Sequence, residues 1–301
     1  METTHQHSFF NDYCIGLSIS ESPDLPALGL NEIHLQDAMV EFARYLLASG
    51  SSLAYGGDLR AGGFTETLFK LVQANNQQGL PPYKRVITFL AWPIHLNLPI
   101  RQKAELKGVA DFRPLDPPTD LQINPTEFLH PNSAENSYIW ARCLTVMREK
   151  MSLETDARLL LGGRLTGYKG KYPGLIEEAF ICLHDEKPLF LLGGFGGCAK
   201  AVIDAMHGAH PEPLTTAYQI AQNPGYEEFM AYYNAQVKEH PETGQEPIDY
   251  DALVAFFQQE GVAGLHNGLN LEENERLFAT PHIPEMISLV LKGLSRLSEN
   301  M

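Results

Sequence analysis

The chain has 301 residues, of which 44% are hydrophobic and 10% are aromatic. This composition is typical of a globular protein with a substantial core, and it argues against an intrinsically disordered chain. The formal net charge of -15 and the lack of any run of Lys or Arg argue against a nucleic-acid partner. A small anion is still compatible with this charge, because a few converging cations and backbone N–H groups suffice for one phosphate.

Cysteine usage and hydropathy indicate the compartment. The four cysteines form no CxxC pair, so we expect buried free thiols in a reducing cytoplasm. No stretch approaches the roughly 18 apolar residues of a membrane span, and the first residues lack a signal-peptide pattern. The 11 histidines are scattered without ligand spacing, so neither a metal nor a cofactor is expected.

Short apolar runs alternate with amphipathic segments along the first two thirds of the chain. Predicted strands occupy residues 14–22, 52–58, 85–92, 157–163 and 188–194. Predicted helices contain residues 35–46, 65–75, 134–151, 173–185 and the segment after 197. The proline-bearing stretch 93–135 has no clean period, and we expect an elaborated crossover or a lid there.

The continuous apolar strands, without hairpin signals, predict a parallel sheet covered by helices on both faces. Residues 12–208 are therefore expected to form a Rossmann-like, doubly wound α/β domain. The pattern over residues 209–301 is helical throughout, which predicts a C-terminal extension packed on the sheet domain.

Four predicted strands end in small, polar or glycine residues. Ligands of open parallel sheets bind outside the carboxyl ends of the strands, where glycine lets backbone N–H groups approach a phosphate. One such cluster also fits a tight turn, and the polar side chains also fit loop capping, but four clusters in register favour a single crevice. The candidate ligand-binding residues at the strand ends are Ser18, Ser20, Glu21, Gly56, Gly57, Asp58, Arg60, Gly162, Gly163, Arg164, Gly193 and Gly194.

The segment 162–178 concentrates positive charge in an acidic chain. Arg164, Lys169 and Lys171 precede Pro173 and Gly174, where a helix is predicted to begin. Because a helix N-terminus and nearby cations both attract anions, the segment predicts a phosphate or pyrophosphate site. A solvated basic loop is the alternative.

Two adjacent carboxylates follow in this predicted helix. Glu177 either stabilises the helix through its dipole or faces the crevice, where it could hold a ribose hydroxyl or assist loss of a base from a nucleotide. Glu178 is expected to be structural. The GxGxxG fingerprint, the GxxxxGK[ST] loop, GxSxG and HExxH are all absent, which argues against classical dehydrogenases, P-loop NTPases, α/β-hydrolases and zinc proteases.

The segment 162–178, together with IGLSISES and YGGDLRAGGFTETL earlier in the chain, resembles the SLOG superfamily of Rossmann-like proteins over residues 12–208. The resemblance to its LOG branch, with the motif PGGxGTxxE, implies a nucleoside-monophosphate phosphoribohydrolase in which Gly162 and Gly163 hold phosphate and Glu177 is catalytic. The chain departs from this motif by inserting nine residues between the glycines and Pro173. Other branches are associated with sensing ADP-ribose-derived nucleotides, including the effector subunit of Thoeris antiviral systems and the cytosolic portion of certain cation channels.

Three functional hypotheses follow. The first is a protein that binds an ADP-ribose-like or related phosphorylated nucleotide, as a sensor in a defence or stress pathway. The second is a nucleotide N-glycosidase that uses Glu177. The third is a homo-oligomer whose helical C-terminal third transmits ligand occupancy.

Overall fold

The computed structural model describes residues 10, 13–56, 66–71, 86–99 and 110–299. The predicted site residues Gly57, Asp58 and Arg60 lie outside the described residues, as does part of the predicted helix 65–75. Within the described chain, six parallel strands form one sheet in the order β4-β3-β2-β1-β5-β6. They are β1 (Cys14–Ser20), β2 (Ser52–Tyr55), β3 (Val86–Leu90), β4 (Asp111–Pro114), β5 (Ala157–Gly162) and β6 (Leu189–Leu192). The predicted Rossmann-like α/β class is confirmed.

Helices cover the sheet and fill the C-terminal region. They are α1 (Glu32–Ala48), α2 (Ala134–Leu153), α3 (Gly174–His184), α4 (Gly197–Met206), α5 (Thr216–Gln222), α6 (Tyr226–Glu239), α7 (Tyr250–Glu260), α8 (Leu271–Ala279) and α9 (Ile283–Glu299). Residues 66–71 are also helical. Polar side chains begin several of these helices: Asn31 forms a capping box on α1, and Ser133 Oγ accepts from the backbone N–H of Asn136 at the start of α2. No helix in the described part of the chain is long and apolar enough to cross a membrane.

Alternate residues of each strand enter different cores. Leu159 and Leu161 of β5 pack in a cluster with α1, α8 and α9, whereas Leu160 packs in a second cluster with α2, α3, α4, α6 and α7. This alternation follows from the two-residue period of a strand, and burial on both faces explains why β5 is a continuous apolar run. The helical C-terminal region therefore contributes to both faces of the sheet.

Strand β4 lies within the stretch 93–135, where no strand was expected. It pairs in parallel with β3, with Ile87 opposite Asp111 and Leu90 opposite Pro114. The strand has no apolar run, because it is the edge of the sheet and its ends are exposed. Charged residues and proline are tolerated at edges, so hydropathy gives no signal for such a strand.

The opposite edge, β6, is covered by the C-terminal region. Asn267 Nδ2 donates a hydrogen bond of 2.9 Å to the Leu189 carbonyl. Gly193 and Gly194 follow β6, and Cβ atoms on them would lie 2.3 Å from the carbonyl oxygen of Phe278 and 2.2 Å from that of Thr280, respectively. Both glycines are therefore required by close packing against the end of α8.

Candidate functional site

A crevice of about 230 Å³ opens at the carboxyl ends of β1, β2, β3 and β5. One wall is a face of α2, and another is the segment 164–172 between β5 and α3, which we call the cationic loop. The crevice lies beside the point where the strand order reverses, between β1 and β5. Open α/β sheets bind ligands at such a point.

Several of the predicted site residues line this crevice: Ser20, Glu21, Gly56, Arg164, Lys169 and Gly174. Ser20 Oγ accepts a hydrogen bond of 2.8 Å from the backbone N–H of Arg164, which fixes the start of the cationic loop to the end of β1. The Arg164 guanidinium donates from Nη2 to Glu21 Oε2 at 2.8 Å. Arg164 is still partly exposed, so its other donors can reach a ligand.

The glycine pair at the end of β5, Gly162 and Gly163, allows α4 to pack closely against this strand end. Gly162 and Gly163 have positive φ angles of 61° and 114° and do not line the crevice. A Cβ on Gly163 would lie 2.4 Å from the Cys198 Cβ. The structure thus places Gly162 against the backbone of β1 and Gly163 against Cys198 of α4.

The two glutamates of α3 point to different places. Glu177 is fully buried behind the crevice, where its carboxylate accepts from Thr145 Oγ1 and, at 2.6 Å, from Arg148 Nη1. Glu178 lines the crevice, and its Oε2 accepts from Ser18 Oγ and, at 2.7 Å, from Arg158 Nη1. The sequence singled out Glu177, whereas the carboxylate that faces the crevice belongs to Glu178.

Ser18 and Lys171 lie away from the crevice surface. Ser18 is buried under Glu178 and accepts a 2.8 Å hydrogen bond from Arg158 Nη1. Lys171 is buried on the far side of the cationic loop, where it lines a separate cavity of about 390 Å³ with Glu149 and Asp185. Glu149 is exposed at the rim of that cavity, and partial desolvation and the carboxylates of Glu177 and Asp185 raise its pKa, whereas Lys171 lowers it.

Arg148 lines the crevice and was not anticipated. Its side chain is only 8% exposed, its Nη1 pairs with Glu177, and its Nε lies 3.6 Å from Glu178 Oε1. Nη2 makes no hydrogen bond to any described residue and lies 2.9 Å from where a Cβ atom on Gly174 would be. The sequence does contain one sign of Arg148, since an arginine next to Met147 falls on the otherwise apolar face of α2. A purely structural ion pair gives the same pattern.

The crevice also has aromatic and apolar lining. Trp140, Leu144 and Met147 of α2 line it on the same helix as Arg148, and Tyr55 lines it at the end of β2. Trp140 Nε1 donates to the Leu129 carbonyl at 2.7 Å, so the indole is held by one edge. Flat, polarisable side chains of this kind can stack on a nucleobase.

The charges around the crevice differ from those of the whole chain. Among the described lining residues, three are cationic (Arg148, Arg164 and Lys169) and two are acidic (Glu21 and Glu178). A local excess of positive charge in a chain of net charge -15 favours an anionic ligand. The described residues contain no group of three or more His, Cys, Asp or Glu that could hold a metal ion.

The N-terminus of α3 contributes less than the sequence suggested. The buried Cys198 thiol donates to the Arg164 carbonyl at 3.2 Å, and burial raises its pKa although the backbone N–H groups of Leu175 and Ile176 lower it. Gly174 and Leu175 are the first-turn residues of α3 that line the crevice, and Gly174 lies beside Arg148. Any anion in the crevice would rely mainly on the three cationic side chains.

The parallel sheet, its strand order and the crevice at the reversal point define a Rossmann-like α/β protein with a candidate site at the carboxyl ends of its strands. The family model of SLOG cluster2 matches residues 9–277, so the chain belongs to this family, and the SLOG resemblance is confirmed. The match continues through α5, α6 and α7 into α8. No curated protein matches the chain. Membership of the SLOG superfamily indicates a nucleotide-related function.

Proposed function

We propose that the crevice binds a phosphorylated nucleotide, ADP-ribose-like or related, and that the protein acts as a sensor of this ligand. The observation that carries the proposal is Arg148, which lines the crevice with its Nη2 beside Gly174 and whose Nε is buried without a hydrogen-bond partner among the described residues. A buried guanidinium with unused donors is costly unless a ligand completes its hydrogen bonds. A phosphate oxygen suits those donors.

The walls of the crevice suggest an orientation for the ligand. The phosphate groups would lie among Arg148, Arg164 and Lys169, and the base would lie against Tyr55 and Trp140. The ribose hydroxyls would then reach the crevice carboxylates, which accept such hydrogen bonds.

A thermal-shift panel of AMP, ADP-ribose, cyclic ADP-ribose, NAD and deoxynucleotides tests the proposal. Ligand at about 100 times its Kd should add roughly 2.7 kcal/mol to the free energy of unfolding and raise the midpoint. Arg164→Ala and Lys169→Ala should weaken the shift, because each removes a cation from the crevice. The matched control is Lys200→Ala, which removes an exposed lysine of α4 that pairs with Asp204. No shift with any nucleotide would contradict the proposal.

A second candidate is cleavage of a nucleotide N-glycosidic bond, favoured by the carboxylate of Glu178. Its Oε2 is held by Ser18 and Arg158, which leaves Oε1 without a close hydrogen bond among the described residues. Such a carboxylate could stabilise an oxocarbenium-like centre or guide water. Chromatography of each panel mixture for released base tests this activity, and Glu178→Gln should abolish turnover if it occurs. Binding without released base supports the sensor.

Self-association remains a prediction from the helical C-terminal region. Light scattering of the purified protein with and without ADP-ribose would measure it. An unchanged monomer under both conditions would contradict this prediction without affecting the proposed binding.

A further inference from the structure

The cationic loop is fixed mainly by side chains of the C-terminal helices. Among the described residues, no backbone atom of segment 164–172 pairs with another backbone atom. Instead, the Gly167 N–H donates to Asn223 Oδ1 at 2.7 Å, and Gln219 Nε2 donates to the Leu165 carbonyl at 3.2 Å. The conformation of the loop that carries Arg164 and Lys169 is therefore held by residues on the side away from the crevice.

Tyrosine hydroxyls make the second set of contacts. Tyr226 of α6 donates to the Lys171 carbonyl at 2.6 Å, and Tyr250 of α7 lies 3.0 Å from the hydroxyl oxygens of both Tyr226 and Tyr168. Tyr168 lines the crevice and also donates to Gln219 Oε1 at 2.8 Å. One hydrogen-bonded chain thus joins the crevice wall to α5, α6 and α7.

The hydroxyls of Tyr168, Tyr226 and Tyr250 stay protonated and can therefore donate hydrogen bonds at any pH near neutrality. Burial raises the pKa of Tyr226 to about 12, and burial also raises the pKa values of Tyr168 and Tyr250. All three remain protonated at neutral pH. The network therefore holds the loop by fixed hydrogen bonds and carries no charge of its own to the crevice.

We infer that Tyr226, with Asn223 and Gln219, positions the cationic loop for the phosphate groups of the ligand, so that the C-terminal helices set nucleotide affinity without touching the nucleotide. This inference rests on the proposed function. Without these hydrogen bonds the loop is less ordered. Arg164 and Lys169 keep their charges, but the guanidinium and ammonium groups then occupy several positions. Binding must then repay the cost of ordering the loop.

Loss of order in the cationic loop should weaken the binding of the phosphate groups more than the binding of the nucleoside. Lys169 is at the middle of the loop, whereas Tyr55 and Trp140 belong to β2 and α2. Loosening the loop should therefore lower the affinity for ADP-ribose and leave the affinity for adenosine nearly unchanged. A general loss of stability would not separate the two ligands in this way.

Tyr226→Phe tests the inference, with Tyr233→Phe as the matched control. Both tyrosines are buried on α6, but Tyr233 donates to Gln245 Oε1 at 3.3 Å and makes no hydrogen bond to the loop. Tyr226→Phe removes the hydrogen bond to the Lys171 carbonyl and the contact with the Tyr250 hydroxyl. Loss of the loop contact should weaken ADP-ribose binding by about three- to tenfold in calorimetry, with adenosine affinity within about twofold of the wild type. The control should bind both probes like the wild type.

Hydrogen exchange provides a readout that needs no ligand. Peptides covering residues 164–172 should exchange about three- to tenfold faster in Tyr226→Phe, and at the wild-type rate in Tyr233→Phe. Unchanged exchange of these peptides would overturn the inference even if nucleotides bind. A wild-type protein that binds none of the probes would instead overturn the proposed function. Hydrogen exchange would still show whether the C-terminal helices hold the cationic loop. Asn223→Ala, which removes the acceptor of the Gly167 N–H from a partly exposed site, repeats the test if Tyr226→Phe is unstable.

Discussion

Glu177 and Glu178 are neighbours on α3, but their carboxylates belong to different parts of the protein. Glu177 is fully buried and pairs with Arg148, whereas Glu178 lines the crevice and is held from below by Ser18 and Arg158. Arg148 lies between them, since its Nε is 3.6 Å from Glu178 Oε1. The buried pair behind the crevice thus holds the guanidinium that faces the proposed ligand.

Replacing Glu177 by Gln should destabilise the fold strongly. The substitution leaves the Arg148 guanidinium buried without its counter-charge, and breaking a buried pair in this way costs about 3–5 kcal/mol. Urea unfolding measures the loss. The exposed pair of Lys200 and Asp204 gives the control, since Asp204→Asn should cost about 0–1 kcal/mol. Equal effects of the two substitutions would contradict a structural role for Glu177.

Gly163→Ala should be far more harmful than Gly167→Ala, although both glycines have positive φ. At Gly163 the new methyl group would lie 2.4 Å from the Cys198 Cβ, whereas at Gly167 no atom lies within 4 Å. Backbone strain of about 1–3 kcal/mol applies to both, and overpacking adds about 1–3 kcal/mol at Gly163 alone. Thermal unfolding of the two variants compares them directly. The prediction fails if Gly167→Ala is the less stable variant.

Asp24→Ala should loosen the contact between the β1–α1 connection and the start of α4. Asp24 Oδ2 accepts a hydrogen bond of 2.7 Å from the Gly197 N–H, in the manner of a helix cap supplied from a distant segment. Loss of such a cap costs about 0.5–2 kcal/mol. Asp37→Ala, at an exposed position of α1, should change stability by less than about 0.5 kcal/mol. Chemical denaturation of both variants provides the measurement.

Glu273 should make stability depend on pH in the acid range. Hydrogen bonds from Arg296 and Lys292 lower the pKa of this carboxyl from 4.5 to about 2. Because the pKa is depressed in the folded state, the stabilisation is complete above about pH 4.5 and is lost as the pH falls toward 2. The partner side chains of Lys292 and Arg296 are 52% and 39% exposed, so solvent screens the contact and Glu273→Gln should cost about 1 kcal/mol or less at pH 7. That difference from the wild type should shrink at pH 3, whereas exposed Glu272→Gln should have little effect at either pH.

Much of the fold could be predicted because burial is encoded locally. The strands β1, β3, β5 and β6 are largely apolar runs, and the amphipathic period of α1 marks its buried face. In a doubly wound sheet the central strands are covered on both faces, so each strand carries its own signal. The small and polar strand ends also predicted the edge of the sheet where the crevice opens, since the carboxyl ends of parallel strands share one edge. Of their described glycines, Gly56 lines the crevice, whereas Gly162, Gly163, Gly193 and Gly194 do not.

The amino-acid sequence by itself therefore determined the α/β class and the family, and it predicted the edge of the sheet where the candidate site lies. Only the tertiary structure decided which side chains reach that site. Successive residues on a helix point about 100° apart, so packing against α2 and β5 determines that Glu178, and not Glu177, faces the crevice. In the cationic loop, contacts with residues more than 50 positions away direct Lys169 to the crevice and Lys171 away from it. Local sequence patterns indicate which residues are buried and whether they repeat with the period of a helix or a strand, but they do not show which distant residues they contact.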